Sequence, residues 1–253
     1  MPSPFSASLP AARGYYMPAE WEPHDGTWII WPRKPATWPG KIETVPPVFA
    51  EMARALAPGE TVHILVNDAA MEDAAREAFR PGGPIPASIR FHHVLNDDSW
   101  IRDCGPIFLR NRQPGRPLLA LDWIYNSWGE KYSGWEIDDA TPRRIAKILG
   151  IDCREPVIVL EGGSIDVNGA VLLLTTEQCL LNPNRNPHLE MNDIEALLRG
   201  WLGVEKVLWL GRGIEGDDTD GHVDDLARFV SEDTVVTVVE DSPSDDNYMF
   251  LQE

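Results

Sequence analysis

Apolar, β-branched runs predict strands at Thr27–Trp31, Val62–Val66, Ile89–Val94, Ile107–Arg110, Leu118–Tyr125, Val157–Leu160, Ser164–Val167, Val171–Thr175, Lys206–Leu210, Leu226–Val230 and Thr234–Glu240. Helices are predicted between some of them, at Val45–Leu56, Ala69–Phe79, Asp139–Leu149 and His188–Leu202. Pro46, Pro47 and Pro142 fall in or near first turns, where a proline's missing N–H leaves no bond unmade.

The order strand, strand, helix, strand repeats with a period of about sixty residues. One copy runs from Ile107 to Leu160 and the next from Ser164 to Leu210; a third opens at Leu226 and Thr234. The stretch from Thr27 to Val94 fits the same plan with one extra helix between its first two strands. Such recurrence predicts a pseudo-symmetric α/β array whose units need neighbours to cover their open faces. The polar motifs keep the same spacing, with Asp103 and Glu161 58 residues apart and Glu161 and His222 61 apart. Equivalent loops are then expected to meet at one end of the pseudo-axis, where loops carry chemistry without disturbing the core.

Composition narrows the function classes. Twenty-two basic against 40 acidic residues give a net charge of −18, which disfavours nucleic acid and anionic membranes and draws in small cations. Cys104, Cys153 and Cys179 are too few and too scattered for a disulfide framework or a paired-cysteine metal site, so a reducing, cytoplasmic setting is expected. No apolar run has the length of a membrane span. Residues 1–16 are expected to be a flexible N-terminal segment ahead of one domain covering 17–253. The chain is expected to stop partway through a repeat, with about three and a half units present.

Three motifs carry candidate chemistry. In Gly216-Asp-Asp-Thr-Asp-Gly-His-Val-Asp-Asp225, His222 and Asp224 stand two apart and would share a face of an extended edge, pairing a base with a carboxylate. A Ca²⁺ loop does not fit, because Ala227 would stand where a bidentate acid is needed. A Mn²⁺ or Zn²⁺ hydrolase site needs a second ligand set, and His92-His93 would point to opposite faces of a strand. In Asn96–Pro106, Trp100 and Asp103 suit a planar cation that stacks on indole and donates to a carboxylate; the alternative is a capping turn with Arg102 and Asp103 in a surface ion pair. Glu161-Gly-Gly163 lets an acid and a bare backbone approach something closely, or is a hairpin with an exposed acid.

Together with Met17-Pro-Ala-Glu-Trp-Glu-Pro-His24, Trp31-Pro32, Asn126-Ser-Trp-Gly-Glu-Lys-Tyr132 and Asn182-Pro-Asn-Arg-Asn-Pro187, these motifs resemble those of the agmatine deiminases. That family is a branch of the guanidine-modifying pentein superfamily, related to bacterial peptidyl-arginine deiminases. The resemblance implies five ββαβ units around a pseudo-fivefold axis, of which this chain is expected to hold an incomplete set. It implies that Asp103 and Asp224 grip a guanidinium, His222 serves as acid and base, Glu161 orients the site, and Trp100, with Asp98 more weakly, lines the pocket. It implies no metal and no organic cofactor, a small cationic guanidine such as agmatine as the partner, and leaves homo-oligomers open. The family nucleophile is a cysteine in a C-terminal Gly-Gly-Gly-x-x-His-Cys motif that does not occur in these 253 residues. Cys104 is an unsuitable substitute if it points away from Asp103, and Cys153 and Cys179 lie outside the motifs. The implied reaction is hydrolytic deimination of agmatine through a thiouronium intermediate. Peptidyl- or free-arginine deimination, metal-dependent ureohydrolysis and cation binding without catalysis are the rival readings.

Overall fold

The computed structural model describes residues 9–252. Its strands are β1 (Tyr15–Tyr16), β2 (Gly26–Ile30), β3 (Thr61–Val66), β4 (Ile89–His93), β5 (Ile107–Asn111), β6 (Leu119–Leu121), β7 (Asp152–Arg154), β8 (Asp166–Val167), β9 (Leu172–Thr176), β10 (Lys206–Leu210), β11 (Ala227–Ser231) and β12 (Thr234–Thr237). Its helical segments are α1 (Val45–Leu56), α2 (Ala69–Phe79), α3 (Ile101–Cys104), α4 (Ser127–Glu130), α5 (Trp135–Asp139), α6 (Thr141–Leu149), α7 (Glu177–Leu180) and α8 (Met191–Leu202).

Two units follow the expected ββαβ plan. β5 and β6 pair antiparallel and α6 carries the chain back so that β7 lies parallel to β6; β8, β9, α8 and β10 repeat that arrangement. The β11–β12 hairpin opens a further unit. The first unit departs from the plan, because its β2 and β3 run parallel. The physical cause is α1, a crossover that returns the chain to the same end of the sheet before the next strand starts.

Local signals set most boundaries. α1 begins with prolines in its first turn, and the Asp68 side chain accepts the Met71 N–H at 2.9 Å to start α2. α8 starts at Met191 rather than His188, because Glu190 and Asp193 form a reciprocal capping box there. The helix expected over 139–149 starts two residues late, at Thr141, since Pro142 belongs in a first turn, and a separate short helix, α5, precedes it.

The strand expected at Val157–Leu160 needs correction. The last strand of the second unit is Asp152–Arg154, and Val157–Leu160 contributes only the single bridge from Val159 to Ile124. Pro156 separates the two stretches and leaves Val157 85 % exposed, while Ile158 and Leu160 still turn inward. The N-terminal segment is also more built than expected. Ala11–Arg13 form a 3-10 turn, β1 pairs antiparallel with β5, and the Met17 N–H donates to Leu202 O. Packing of Tyr15 and Met17 against the central core supplies the reason. Residues 1–8 of that segment lie outside the described residues.

Strand alternation divides the core. Ile29, Val62, Ile64 and Val66 meet α1 and α2 through Ala50, Ala53 and Phe79, whereas Ile30 and Leu65 face Cys104, Tyr125, Trp128 and Ile145. A larger cluster joins Leu109 and Leu121 to Leu173 and the Ile194–Leu198–Leu202 stripe of α8, welding neighbouring units together. Burying each such side chain contributes about 1.5–3 kcal/mol. Among the described residues, no helix is long and apolar enough to cross a membrane.

On β3 and β4, the His63 Nδ1 and His92 Nε2 atoms lie 2.9 Å apart, and the His63 ring stacks on Trp28 at 4.2 Å. Burial, with the neighbouring His92 and Arg90 charges, pushes His63 down to about 4. Its unfolded value is about 6.5, so between those limits the unfolded chain binds the extra proton and stability falls as pH is lowered. His63→Phe is expected to flatten the acid limb of stability measured by urea midpoints at pH 7 and pH 5. An unchanged slope would remove His63 from the linkage.

Candidate active site

The three spaced motifs occupy equivalent crossovers. Asp103 sits on α3 between β4 and β5. Glu161 stands directly before the 3-10 turn Gly162–Ser164 that leads into β8, and His222 directly before the 3-10 turn Val223–Asp225 that leads into β11. The expectation that His222 and Asp224 share the face of an extended edge is therefore corrected, since a tight turn brings them to the same side.

His222 is 2 % exposed and lies at the centre. Its Nδ1 faces Asp103 Oδ1 at 3.7 Å and Asp224 Oδ1 at 3.8 Å, while its Nε2 faces Glu161 Oε2 at 3.9 Å. All three separations exceed hydrogen-bond length, so charge rather than direct bonding relates the groups. Burial alone would lower the imidazole pKa, but Cys179, Glu161 and Asp103 outweigh it and hold the ring well above its ordinary value. Burial pushes Asp103 up to about 6; the imidazole opposes this, and Glu161 and Asp224 add to it.

Asp103 is held by two donors, the Gly163 N–H at 3.0 Å and the Trp128 indole N–H at 3.2 Å. Glu161 is fully buried, and burial opposes its ionisation. His222 and Arg185 override that and hold its carboxyl below the usual range. Asp224 is more open and has the Arg102 guanidinium Nε 3.5 Å away. Arg102 also pairs with Glu20 at 2.5 Å, so the alternative of a surface Arg102–Asp103 ion pair is not what forms.

A cleft of about 370 Å³ opens over this group. Trp100, 39 % exposed, lines it, stacked on Trp38 at 6.1 Å and edge-on to Trp128 at 6.0 Å. Asp98 lines the outer wall and accepts from Thr37 Oγ1 at 2.5 Å. The structure thus brings Asp103, His222, Asp224, Trp100 and Asp98 to one cleft, with Glu161 behind His222.

Glycine is required where these groups crowd. A Cβ on Gly163 would stand 2.5 Å from His222 Nδ1, 2.7 Å from Asp103 Oδ1 and 2.9 Å from Asp224 Oδ2. Gly163→Ala is expected to cost about 1–3 kcal/mol of stability through overpacking. It should also spoil binding of a guanidinium in the cleft. A thermal melt and calorimetric titration of the variant check both, and wild-type values in each would show that the cradle is looser than drawn.

The loop before His222 explains its own acids. Asp217 accepts the N–H groups of Thr219, Gly221 and His222 at 2.7, 2.7 and 3.1 Å, so this acid shapes the turn. Tyr132 O–H donates to Asp218, and Lys131 Nζ reaches Asp220 at 2.8 Å.

Three contributors were not singled out by residue type. The Arg185 side chain is fully buried; its Nε donates to Glu161 Oε1 at 2.8 Å and its Nη1 to Asp220 Oδ2 at 2.7 Å. Its signal was the proline-bracketed polar run around it, which marks an ordered loop without showing where the guanidinium goes. Trp128 lies in α4, whose residues Ser127, Trp128, Gly129 and Glu130 all have positive φ, at 54°, 56°, 92° and 62°. Left-handed backbone costs a non-glycine residue about 1–2 kcal/mol, and here it aims the indole at Asp103. Cys179, on α7, brings its sulfur into a group with Glu161 and His222 whose ligand atoms all lie within 4.8 Å of one another. That corrects its expected remoteness from the motifs. Nothing in its sequence surroundings distinguishes it from an ordinary core thiol.

None of the three cysteines lines the cleft. Cys104 is buried in the core beside Ile30 and Tyr125, with burial first and then Asp138 and Asp103 holding its thiol well above its ordinary value. It packs in the core while Asp103 lines the cleft, and the two part on a turn of helix rather than on an extended strand as expected.

The chain matches the family model described as Porphyromonas-type peptidyl-arginine deiminase over residues 16–253. It is 42 % identical over 250 residues to an agmatine deiminase of Stutzerimonas stutzeri, covering 97 % of this chain and 66 % of that protein. A solved agmatine deiminase of Enterococcus faecalis superposes with a TM-score of 0.88 at 35 % identity, over 96 % of this chain and 66 % of its own. An agmatine deiminase of C. jejuni with substrate bound gives 0.84 at 30 % identity, over 94 % and 68 %. The chain therefore spans about two thirds of the length of the curated relatives it matches. Its architecture of ββαβ units is that of the pentein fold. By family match, sequence identity and fold, the chain belongs to the Porphyromonas-type peptidyl-arginine deiminase family.

Proposed function

We propose that residues 17–253 form, as one domain, the guanidinium-binding and proton-transfer part of an enzyme that hydrolyses agmatine to N-carbamoylputrescine and ammonia. The observation that carries this reading is the convergence of Asp103, Glu161 and Asp224 on His222 at the floor of a tryptophan-walled cleft. Carboxylates on either side suit the in-plane N–H groups of a guanidinium, and Trp100 and Trp128 offer indole edges and faces to its apolar chain. The acid-rich rim of Asp98, Asp218 and Asp225 suits a distal ammonium. Three unpaired cysteines fit the cytoplasm, where we place the protein.

The reaction needs a thiolate, which we assign to the cysteine of the family's C-terminal Gly-Gly-Gly-x-x-His-Cys motif. The thiolate forms a C–S bond at the central guanidinium carbon, and the C=N electron pair moves onto nitrogen. The imidazolium of His222 gives a proton to the departing nitrogen, which leaves as ammonia. Neutral His222 then takes a proton from water as its oxygen attacks the thiouronium carbon. Collapse of that adduct forms the carbonyl of the product, breaks the C–S bond and restores the thiolate, and the hydroxyl proton passes to solvent. Asp103 and Asp224 hold the substrate through both halves, while Glu161, fixed by Arg185, steadies the imidazole.

The test joins this segment to the C-terminal third of a relative and compares agmatine, arginine and an arginyl peptide. Faster turnover of agmatine, with stoichiometric ammonia and N-carbamoylputrescine, supports the proposal. Citrulline formed preferentially on the peptide would move the activity to peptidyl-arginine. Urea as product, or agmatine binding without ammonia, would overturn it.

A further inference from the structure

Beneath the cleft, Glu161 and His222 are joined by a third group, the Cys179 thiol, that the proposed deimination does not use. Glu161, Cys179 and His222 each offer a ligand atom, all within 4.8 Å of one another, and all three side chains are essentially buried. His222 Nε2 and Glu161 Oε2 have no hydrogen-bond partner, although they face each other at 3.9 Å. A buried polar atom left unpaired is costly, and two in one place mark a position with room for something that binds both.

We propose that Glu161, Cys179 and His222 form a Zn²⁺ site behind the cleft wall. The donor set is one nitrogen, one sulfur and one oxygen, which suits zinc and disfavours Mg²⁺, Ca²⁺ and Mn²⁺ because of the thiolate. In a tetrahedral zinc site the ligand atoms stand roughly 3–4 Å apart, so small side-chain adjustments close the present arrangement around an ion. The surroundings already orient each donor. Arg185 Nε holds Glu161 through Oε1 and leaves Oε2 free. Asp103 and Asp224 face the opposite imidazole nitrogen, Nδ1, as the carboxylate partner of a metal-bound histidine does. The Thr176 Oγ1 accepts the Cys179 N–H at 3.2 Å and fixes the start of the turn that carries the sulfur. As the Zn–S and Zn–N bonds form, the thiol proton and any proton on Nε2 pass to solvent, and water completes the coordination.

Zinc held this way pins His222 through Nε2 and opposes the imidazolium form. The site is inhibitory under the deiminase reading, but metal binding itself does not depend on that reading. It also differs from a metal hydrolase, in which removing the ion abolishes turnover.

The test uses this chain with CoCl₂ as the spectroscopic probe and ZnCl₂ as competitor. Expected are visible bands of tetrahedral cobalt and a near-ultraviolet thiolate charge-transfer band, both erased by ZnCl₂. The charge-transfer band should vanish in Cys179→Ser and persist in Cys104→Ser and Cys153→Ser. If Cys179→Ser does not fold by circular dichroism, Glu161→Gln and His222→Gln provide the second arm. Each should weaken cobalt binding at least about tenfold, with the thiolate band recovered at higher cobalt. Cobalt binding without a thiolate band, as the half-buried pair His63 and His92 would give, overturns the site. So does a band that survives Cys179→Ser, or unchanged affinity in both second-arm variants.

Discussion

Asp103→Asn is expected to weaken agmatine binding by about 10²- to 10⁴-fold, the equivalent of roughly 3–5 kcal/mol for removing one partner of a buried charge pair. The amide keeps the shape of the carboxylate but offers one acceptor oxygen in place of two, so it keeps the bond from Gly163 N–H or from Trp128 Nε1–H while the charge opposite the guanidinium disappears. Asp224→Asn should fall short of that loss. Its carboxylate is more exposed and already shares the Arg102 guanidinium at 3.5 Å, so less uncompensated charge is at stake. Calorimetry on the folded variants reads both, and wild-type affinity in either removes that residue from the grip. Asp103 also gives the binding a pH signature. Its carboxyl, pushed up to about 6 chiefly by burial, protonates as pH falls through that value, so affinity should drop between pH 7.5 and pH 5.5 and become flatter in Asp103→Asn.

Changing His222 to alanine should act on rate more than on binding. Loss of a general acid and base costs about 10²–10⁴-fold, and His222 is placed to serve in both halves of the reaction. Asp103 and Asp224 remain to hold the substrate, so KM should move less than kcat. Kinetics in the segment joined to a relative's C-terminal third provide the check. A rate within a few-fold of wild type would mean that another group moves the proton. Activity that required added Mn²⁺ would favour metal-activated water instead.

How much was legible depended on whether a feature was periodic or assembled. α1, α2 and β10 were located to the residue, because their apolar spacing and terminal signals agreed. Asp103, Glu161 and His222 were legible as a group only through their common spacing, which reflects three equivalent crossovers. Strand β7 was missed because Asp152-Cys-Arg154 has no apolar run to announce it, and its pairing with β6 comes from α6 carrying the chain back. Arg185 was missed for a different reason. A buried guanidinium is stable only beside acids that other parts of the chain bring to it, here Glu161 and Asp220. The left-handed run at Ser127–Glu130 is likewise a tertiary result, since only Gly129 in it carries a local preference for that backbone.

The placement of one catalytic candidate on each of three successive crossovers has a kinetic consequence. Asp103, Glu161 and His222 are brought together by closures of about sixty residues each, and non-local closures come late in folding because their chain entropy must be met first. Single units can gain secondary structure early and still possess no guanidinium grip. During refolding, ligand affinity should therefore lag behind circular dichroism, making the cleft a reporter of when the units dock.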